Sequence, residues 1–290
     1  MVAIFALTSA FLYGLSNVIT RVGLRYSTVL FGVHISLLSC VVSSLILCLF
    51  STSLSQFFNR AVLFFLAAGI TGPFLGRVFL YEGIDRVGTS IASPFYETKP
   101  LFSFIAAVVI LGERLTFPIV LGMLCMMIGT GIISLEKSGG QIEKKWSKKD
   151  LIFPLISGAC YGVAHVLRKM GLNVIPEPSV GVMVQNVAAL AFAPLLILTP
   201  SNQQRFFSNS TNAWFFHSLA GILHVATQWC LFKALDMGQV IVVSPLTSLS
   251  TFFVLLLTAL FLQGLEKVTW KIVLGTVLIV GAAWMLAVIG

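Results

Sequence analysis

The chain has 290 residues, 58% of them hydrophobic and only 10% charged, with a mean hydropathy of +1.00. A soluble domain carries roughly 25% charged residues, so a water-soluble globular fold is excluded. The formal net charge of +8 would suggest nucleic acid in a soluble protein, but much of it sits in one segment, EKKWSKKD at 143–150, and lysines flanking a membrane span reflect topology and anionic headgroups.

A helix that crosses a bilayer needs about 20 mostly apolar residues. The polar breaks leave ten such spans, at approximately 2–20, 28–50, 61–81, 89–111, 117–135, 151–168, 178–199, 213–232, 240–262 and 270–289. Span 1 has neither a basic start nor a small-residue cleavage site before a soluble domain, so it reads as the first helix of the bundle rather than a signal peptide. His34 in span 2 is expected to pack through a hydrogen bond. In span 3, Gly72 and Gly76 have the GxxxG spacing that permits close helix approach, with Pro73 between them as a hinge, and Arg77 follows.

Span 4 holds Glu97 and Lys99 between Pro94 and Pro100. Each proline removes a backbone donor and disfavours helix just before it, so a kink is expected here. A charge inside a span costs roughly 2.5 to 3.5 kcal/mol even on the lenient scale and faces the bundle interior by default. Arg77 and Lys99 are therefore candidates to bind an anionic group of a solute, with Glu97 as counter-ion or proton carrier. The competing expectation is a buried ion pair of Glu97 with Arg77 or Lys99 that ties spans 3 and 4 together. On a regular helix, residues two apart point in different directions, which argues against Glu97 serving Lys99.

In span 6, His165 lies one turn before Lys169, as Asn17 lies before Arg21 in span 1; these positions read as polar gates or as helix ends wetted by headgroups. Gln185 and Asn186 in span 7 suit interhelical hydrogen bonds or contact with a solute. In span 8, His224 and Gln228 share a helix face, and Trp229 beside them and Tyr96 in span 4 are the aromatic candidates for a cavity wall. Span 9 contributes Ser244 and Ser248, together with Thr247 and Ser250. All five cysteines lie in apolar spans without CxxC spacing and read as packing residues, so no metal or disulfide is expected. Asn209-Ser210-Thr211 matches a glycosylation acceptor only weakly.

The chain is written twice. LYEGIDRVGTSIASPF near residue 85 returns as LFKALDMGQVIVVSPL near 236, Tyr13-Gly14 pairs with Tyr161-Gly162, and Glu113 to Gly122 pairs with Glu266 to Gly275. The offset drifts steadily from 148 to 153 residues, as duplication with small loop insertions leaves it. This divides the chain into a first five-helix repeat at 1–135, a charged linker at 136–150 and a second repeat at 151–290. Five is odd, so the repeats are inverted in the membrane, an arrangement that supports alternating access about a midplane site. Arg77 faces Gln228 in this alignment, and no charge in the second copy matches Arg77, Glu97 or Lys99; an asymmetric site suits an asymmetric solute.

Ten spans in two repeats, each with a Ser-Pro in its fourth span, together with the exit Leu111-Gly112-Glu113-Arg114-Leu115-Thr116 and its looser copy Gln263-Gly264-Leu265-Glu266-Lys267, resemble the EamA-type members of the drug/metabolite transporter superfamily. The resemblance covers essentially the whole chain. It implies an all-α integral protein of the inner cell membrane that exports or exchanges small metabolites such as amino acids or other organic solutes. It also implies a cavity among spans 1–4 and 6–9, with spans 5 and 10 as outer scaffold, and cytoplasmic termini. The Lys and Arg count instead places the 5–6 linker in the cytoplasm and both termini outside, so the two expectations oppose each other. The acidic-basic exits Glu113-Arg114 and Glu266-Lys267 read as structural ties of short loops.

The expected function is secondary transport of a small polar metabolite, with protons or a counter-substrate as coupling partner, by a monomer or homodimer without cofactor, metal or nucleic acid. No GxxxxGK[ST] loop for ATP-driven pumping occurs. An intramembrane enzyme would need motifs that are missing here, and a channel would need a continuous polar path; these are the alternatives.

Overall fold

A computed structural model describes residues 1–51, 57, 59–113, 116–134, 147–197, 210–261 and 269–289. Within them the chain is all helix: α1 (Val2–Gly23), α2 (Val29–Ser51), α3 (Val62–Gly69), α4 (Arg77–Val87), α5 (Thr89–Tyr96), α6 (Lys99–Ala106), α7 (Phe117–Ser134), α8 (Ile152–Leu172), α9 (Pro178–Phe192), α10 (Thr211–Met237), α11 (Val240–Thr247), α12 (Ser250–Phe261) and α13 (Trp270–Ile289). Among the described residues, seven helical stretches are long and apolar enough to cross a membrane, one of them (Val240–Thr258) running through a short break, and two shorter apolar ones run over Lys99–Leu111 and Val273–Ala282. Large apolar side chains such as Leu49, Phe50, Val109 and Val277 are exposed on the outside, where only a hydrocarbon solvent accommodates them without cost.

Spans 3, 4 and 9 are interrupted in mid-membrane, each near a proline. Span 3 passes from α3 to α4 through a wide π-helical turn at Ile70–Gly76 that contains Pro73. Such turns leave backbone groups without their usual partners and recur at functional sites. Here Ser157 Oγ donates to the Gly76 carbonyl at 2.7 Å. Span 4 breaks between α5 and α6, and span 9 breaks at the corresponding place between α11 and α12. The expected kink at Pro94 and Pro100 is thus a full interruption, and the Ser-Pro at 244–245 precedes its copy. Span 4 closes with a second π-helical turn, Ala107–Leu111, and Gly112 at φ +68°, a left-handed conformation that glycine adopts without strain.

The packing directions show how the halves relate. Ser9 Oγ donates to the Thr227 carbonyl at 3.0 Å and Ser16 Oγ to that of Ala220 at 3.2 Å, so α1 runs antiparallel to α10. A side chain at Gly72 would meet Arg168 and one at Gly83 would meet Pro154, so α8 runs antiparallel to α3 and α4. The first span of each repeat therefore lies antiparallel along the third span of the other. Within a repeat, spans 1 and 3 run the same way, so the halves are inverted. The contacts repeat with the sequence: Ser9 and Ser157 are equivalent positions, as are Thr227 and Gly76, and each serine bonds the carbonyl of the opposite repeat.

A second matched pair lies within the repeats. Arg21 donates to the Ile84 carbonyl at 3.1 Å, and Lys169 donates to the carbonyls of Leu235 at 2.7 Å and Gly238 at 3.1 Å. Ile84 and Leu235 are again equivalent positions. A cation on the last carbonyls of a helix satisfies orphan acceptors and complements the helix dipole. Arg21 and Lys169 cap helix ends, while Asn17 and His165, one turn before them, are buried and not wetted by headgroups, and His165 faces the bundle interior. Glu113 forms a further tie: its carboxylate accepts from the backbone N–H groups of Val240 and Ile241, both at 3.1 Å, and so caps the start of α11 from the other repeat. Arg114 and the Glu266-Lys267 exit lie outside the described residues. α7 and α13 pack on each other, where Gly129 admits the Gly275 carbonyl.

Candidate functional site

An internal cavity lies between the repeats, lined by Ser9, Tyr13, Arg77, Tyr96 and Lys99 from the first and by Tyr161, His165, Arg168, His224, Thr227, Gln228, Leu231 and Thr247 from the second. Every one of these residues is buried. Spans 1, 3 and 4 meet spans 6, 8 and 9 here. No described residue of α7 or α13 contributes. The open space is about 30 Å³ as measured by where the centre of a water can sit, room for roughly one or two waters.

Helix periodicity places the lining. Tyr161, His165 and Arg168 fall at i, i+4 and i+7 along α8, and His224, Gln228 and Leu231 fall the same way along α10, so each trio forms one stripe. The glycine notch of span 3 receives the α8 stripe. A side chain at Gly76 would come within 2.6 Å of the Tyr161 ring, and one at Gly72 within 2.9 Å of Arg168 Nη2. The close approach expected of these glycines is what brings two cavity residues inward.

Three tyrosines form one wall. Tyr13 and Tyr96 stack with centroids 5.2 Å apart, and Tyr161 meets Tyr96 edge-on at 5.3 Å. Lys99 Nζ lies over the Tyr96 ring at 4.5 Å and the Tyr13 ring at 5.5 Å, a cation–π arrangement that gains strength in a desolvated site.

The break in span 4 corrects the expectation that Glu97 and Lys99 point apart. With the helix interrupted between Tyr96 and Lys99, Lys99 Nζ sits 2.8 Å from Glu97 Oε2. Ser250 Oγ donates to the other carboxylate oxygen, and Ser250 is the repeat counterpart of Lys99. Glu97 itself is buried behind Lys99 and does not line the cavity.

The two arginines are differently held. Arg77 Nη1 reaches Ser36 Oγ at 3.3 Å and Cys40 Sγ at 3.5 Å, while its Nε and Nη2 have no hydrogen-bond partner. Arg168 Nε donates to Gln185 Oε1 at 2.9 Å, its Nη1 lacks a partner, and its guanidinium lies 6.0 Å from the Tyr161 ring and 5.6 Å from that of Phe232. Spans 2 and 7 thus stand behind the cavity and orient its cations. Asn186 does the same for the lining residue Gln228, donating to its Oε1 at 2.8 Å, in the interhelical role expected of Gln185 and Asn186.

Of the residues singled out from the sequence, Arg77, Tyr96, Lys99, His224 and Gln228 come together around the cavity. Trp229 does not. One position from Gln228, it is turned by about 100° around the helix and packs edge-on to Phe5 at 6.0 Å, with Lys233 over its ring. Ser244 is buried behind the wall, sharing hydrogen bonds with Ser103 Oγ at 2.9 Å and His165 Nδ1 at 3.3 Å. Ser248 turns back to donate to the Ser244 carbonyl, and Thr247 takes the lining position instead. His34 bonds its own helix at the Leu30 carbonyl, as a packing residue does. Arg168 was missed, because beside Lys169 it reads as the polar end of span 6; the Tyr161–His165–Arg168 stripe is the signal that points it inward.

Comparison with known proteins agrees with this architecture. Among solved structures, 29 chains match. One of them, a crystal structure described only as that of a protein, aligns with a TM-score of 0.70 at 18% identity, over 99% of this chain and 96% of its own. At that identity the likeness is one of fold. No curated protein matches. The profile of the EamA-like transporter family matches residues 1–135 and 148–288, which is nearly the whole chain and both repeats; the protein is a multi-pass membrane transporter of the EamA-like family.

Proposed function

We propose that the protein is a secondary transporter that moves a small polar metabolite across the inner cell membrane by alternating access, as an exporter or exchanger. The observation that supports this reading is the buried cavity between the inverted repeats, whose lining presents polar atoms on Arg77, Arg168 and His224 that lack a hydrogen-bond partner among the described residues. Buried polar groups without partners are costly, and a solute that supplies the missing acceptors removes that cost. A contracted cavity with room only for water fits one conformation of a cycle in which the halves rock apart to admit solute. Arg77, Tyr96, Lys99, His224 and Gln228 are the proposed binding residues, joined by Tyr13, Tyr161 and Arg168.

Solute counterflow tests the proposal. Purified protein in liposomes preloaded with unlabelled metabolite should accumulate the same labelled metabolite above equilibrium. A channel would only equilibrate the label, and an enzyme would convert it without vectorial movement. Absence of exchange for every member of a broad panel of amino acids and organic acids would sink the transporter mechanism.

A further inference from the structure

Charge balance at the cavity narrows the class of solute. Arg77, Lys99 and Arg168 are three cationic side chains, each no more than 3% exposed. Among the described residues their one buried acidic neighbour is Glu97, already committed to Lys99 at 2.8 Å and to Ser250. Among the described residues, no acidic one lines the cavity. Lys99 is therefore neutralised, and the two arginines leave two positive charges in excess. Among the described residues both guanidinium groups also keep donors without partners, Nε and Nη2 of Arg77 and Nη1 of Arg168, and Gln185, which bonds Arg168, is uncharged.

Isolated buried charge is among the most expensive features a protein can hold, more so within a membrane. Neither arginine recurs in the other repeat, where the equivalent position of Arg77 is Gln228 and that of Arg168 is Thr20. Guanidinium groups present planar forks suited to carboxylate or phosphate oxygens. We infer that the transported solute is a doubly charged organic oxyanion, a dicarboxylate or a phosphate monoester, held between Arg77 and Arg168. This assignment rests on the transporter reading above. A zwitterionic amino acid would leave both charges uncompensated, because its own charges cancel.

The test is counterflow in liposomes at neutral to slightly alkaline pH with four probes: succinate and glycerol 3-phosphate as dianions, monomethyl succinate as monoanion, and alanine as zwitterion. At least one dianion is expected to exchange about tenfold faster than the monoanion and alanine, and which of the two does so identifies dicarboxylate or phosphate ester. Arg77→Gln and Arg168→Thr, each installing the residue of the other repeat, should lower that exchange at least tenfold, while Arg77→Lys and Arg168→Lys, which keep the charge, retain more of it. A thermal-shift titration of the parent protein with the preferred dianion should raise its Tm, and the Gln and Thr variants should lose the shift. Exchange of alanine as fast as either dianion overturns the charge assignment and leaves the transporter standing. So does full dianion exchange by the Gln and Thr variants. Failure of all four probes together with the broader panel overturns the transporter reading itself.

Discussion

Lys99 and Glu97 are two residues apart, and on an unbroken helix they would diverge by about 200°. They meet at 2.8 Å only because span 4 is interrupted between them. Removing one member of a buried pair leaves the other charge uncompensated, at a cost of about 3 to 5 kcal/mol. Glu97→Gln is therefore expected to lower the Tm of the detergent-solubilised protein sharply, and the double variant Glu97→Gln/Lys99→Met to recover most of the loss. A double variant no more stable than Glu97→Gln would show that the pair is not what holds Lys99. The same residues show how far the sequence could be read. That Arg77, Glu97 and Lys99 face the interior followed from the cost of charge in a membrane, and the kink from the flanking prolines. Which charges pair depends on the dihedral angles inside the break, and no periodicity rule reaches those. Trp229 fails for the opposite reason: its chemistry suits a cavity wall, but the helix that carries Gln228 inward turns Trp229 away.

Helices in this protein are finished by side chains from distant sequence. Glu113 satisfies two N–H groups at the start of α11, and capping contacts of this kind contribute about 0.5 to 2 kcal/mol. Glu113→Ala should destabilise the protein by about that amount in thermal melts, with Glu113→Gln, which keeps one acceptor oxygen, losing less. Equal melting curves for parent and Glu113→Ala would remove the cap from the account. From sequence the Gly-Glu-Arg exit reads as a local tie between spans 4 and 5. The structure directs its carboxylate to a helix of the other repeat instead, a partner 127 residues away that local reasoning does not search. The break in span 4, by contrast, was legible as a kink because proline acts on its own neighbourhood.

At the scale of the whole molecule, inversion places the turn after α1 and the turn after α8 on opposite faces of the membrane. Arg25 is exposed in the first and Val174 is 55% exposed in the second. Arg25→Cys and Val174→Cys should accordingly react with a membrane-impermeant thiol reagent from opposite sides in oriented vesicles, measured against the parent with its native cysteines. Labelling of both from one side would contradict the inverted arrangement, and the side on which Arg25→Cys reacts fixes which face the termini occupy. Duplication made this architecture readable, and the structure repeats contacts along with the sequence, as at Ser9–Thr227 and Ser157–Gly76. The excess of two buried cations has an electrical consequence as well. If the solute is the dianion proposed above, the occupied carrier would move its arginines through the membrane field as a nearly neutral unit, whereas the empty carrier would carry them as bare charge. Exchange would then be almost silent to membrane potential. Net flux, which requires the empty protein to reorient, would be driven or held back by the voltage.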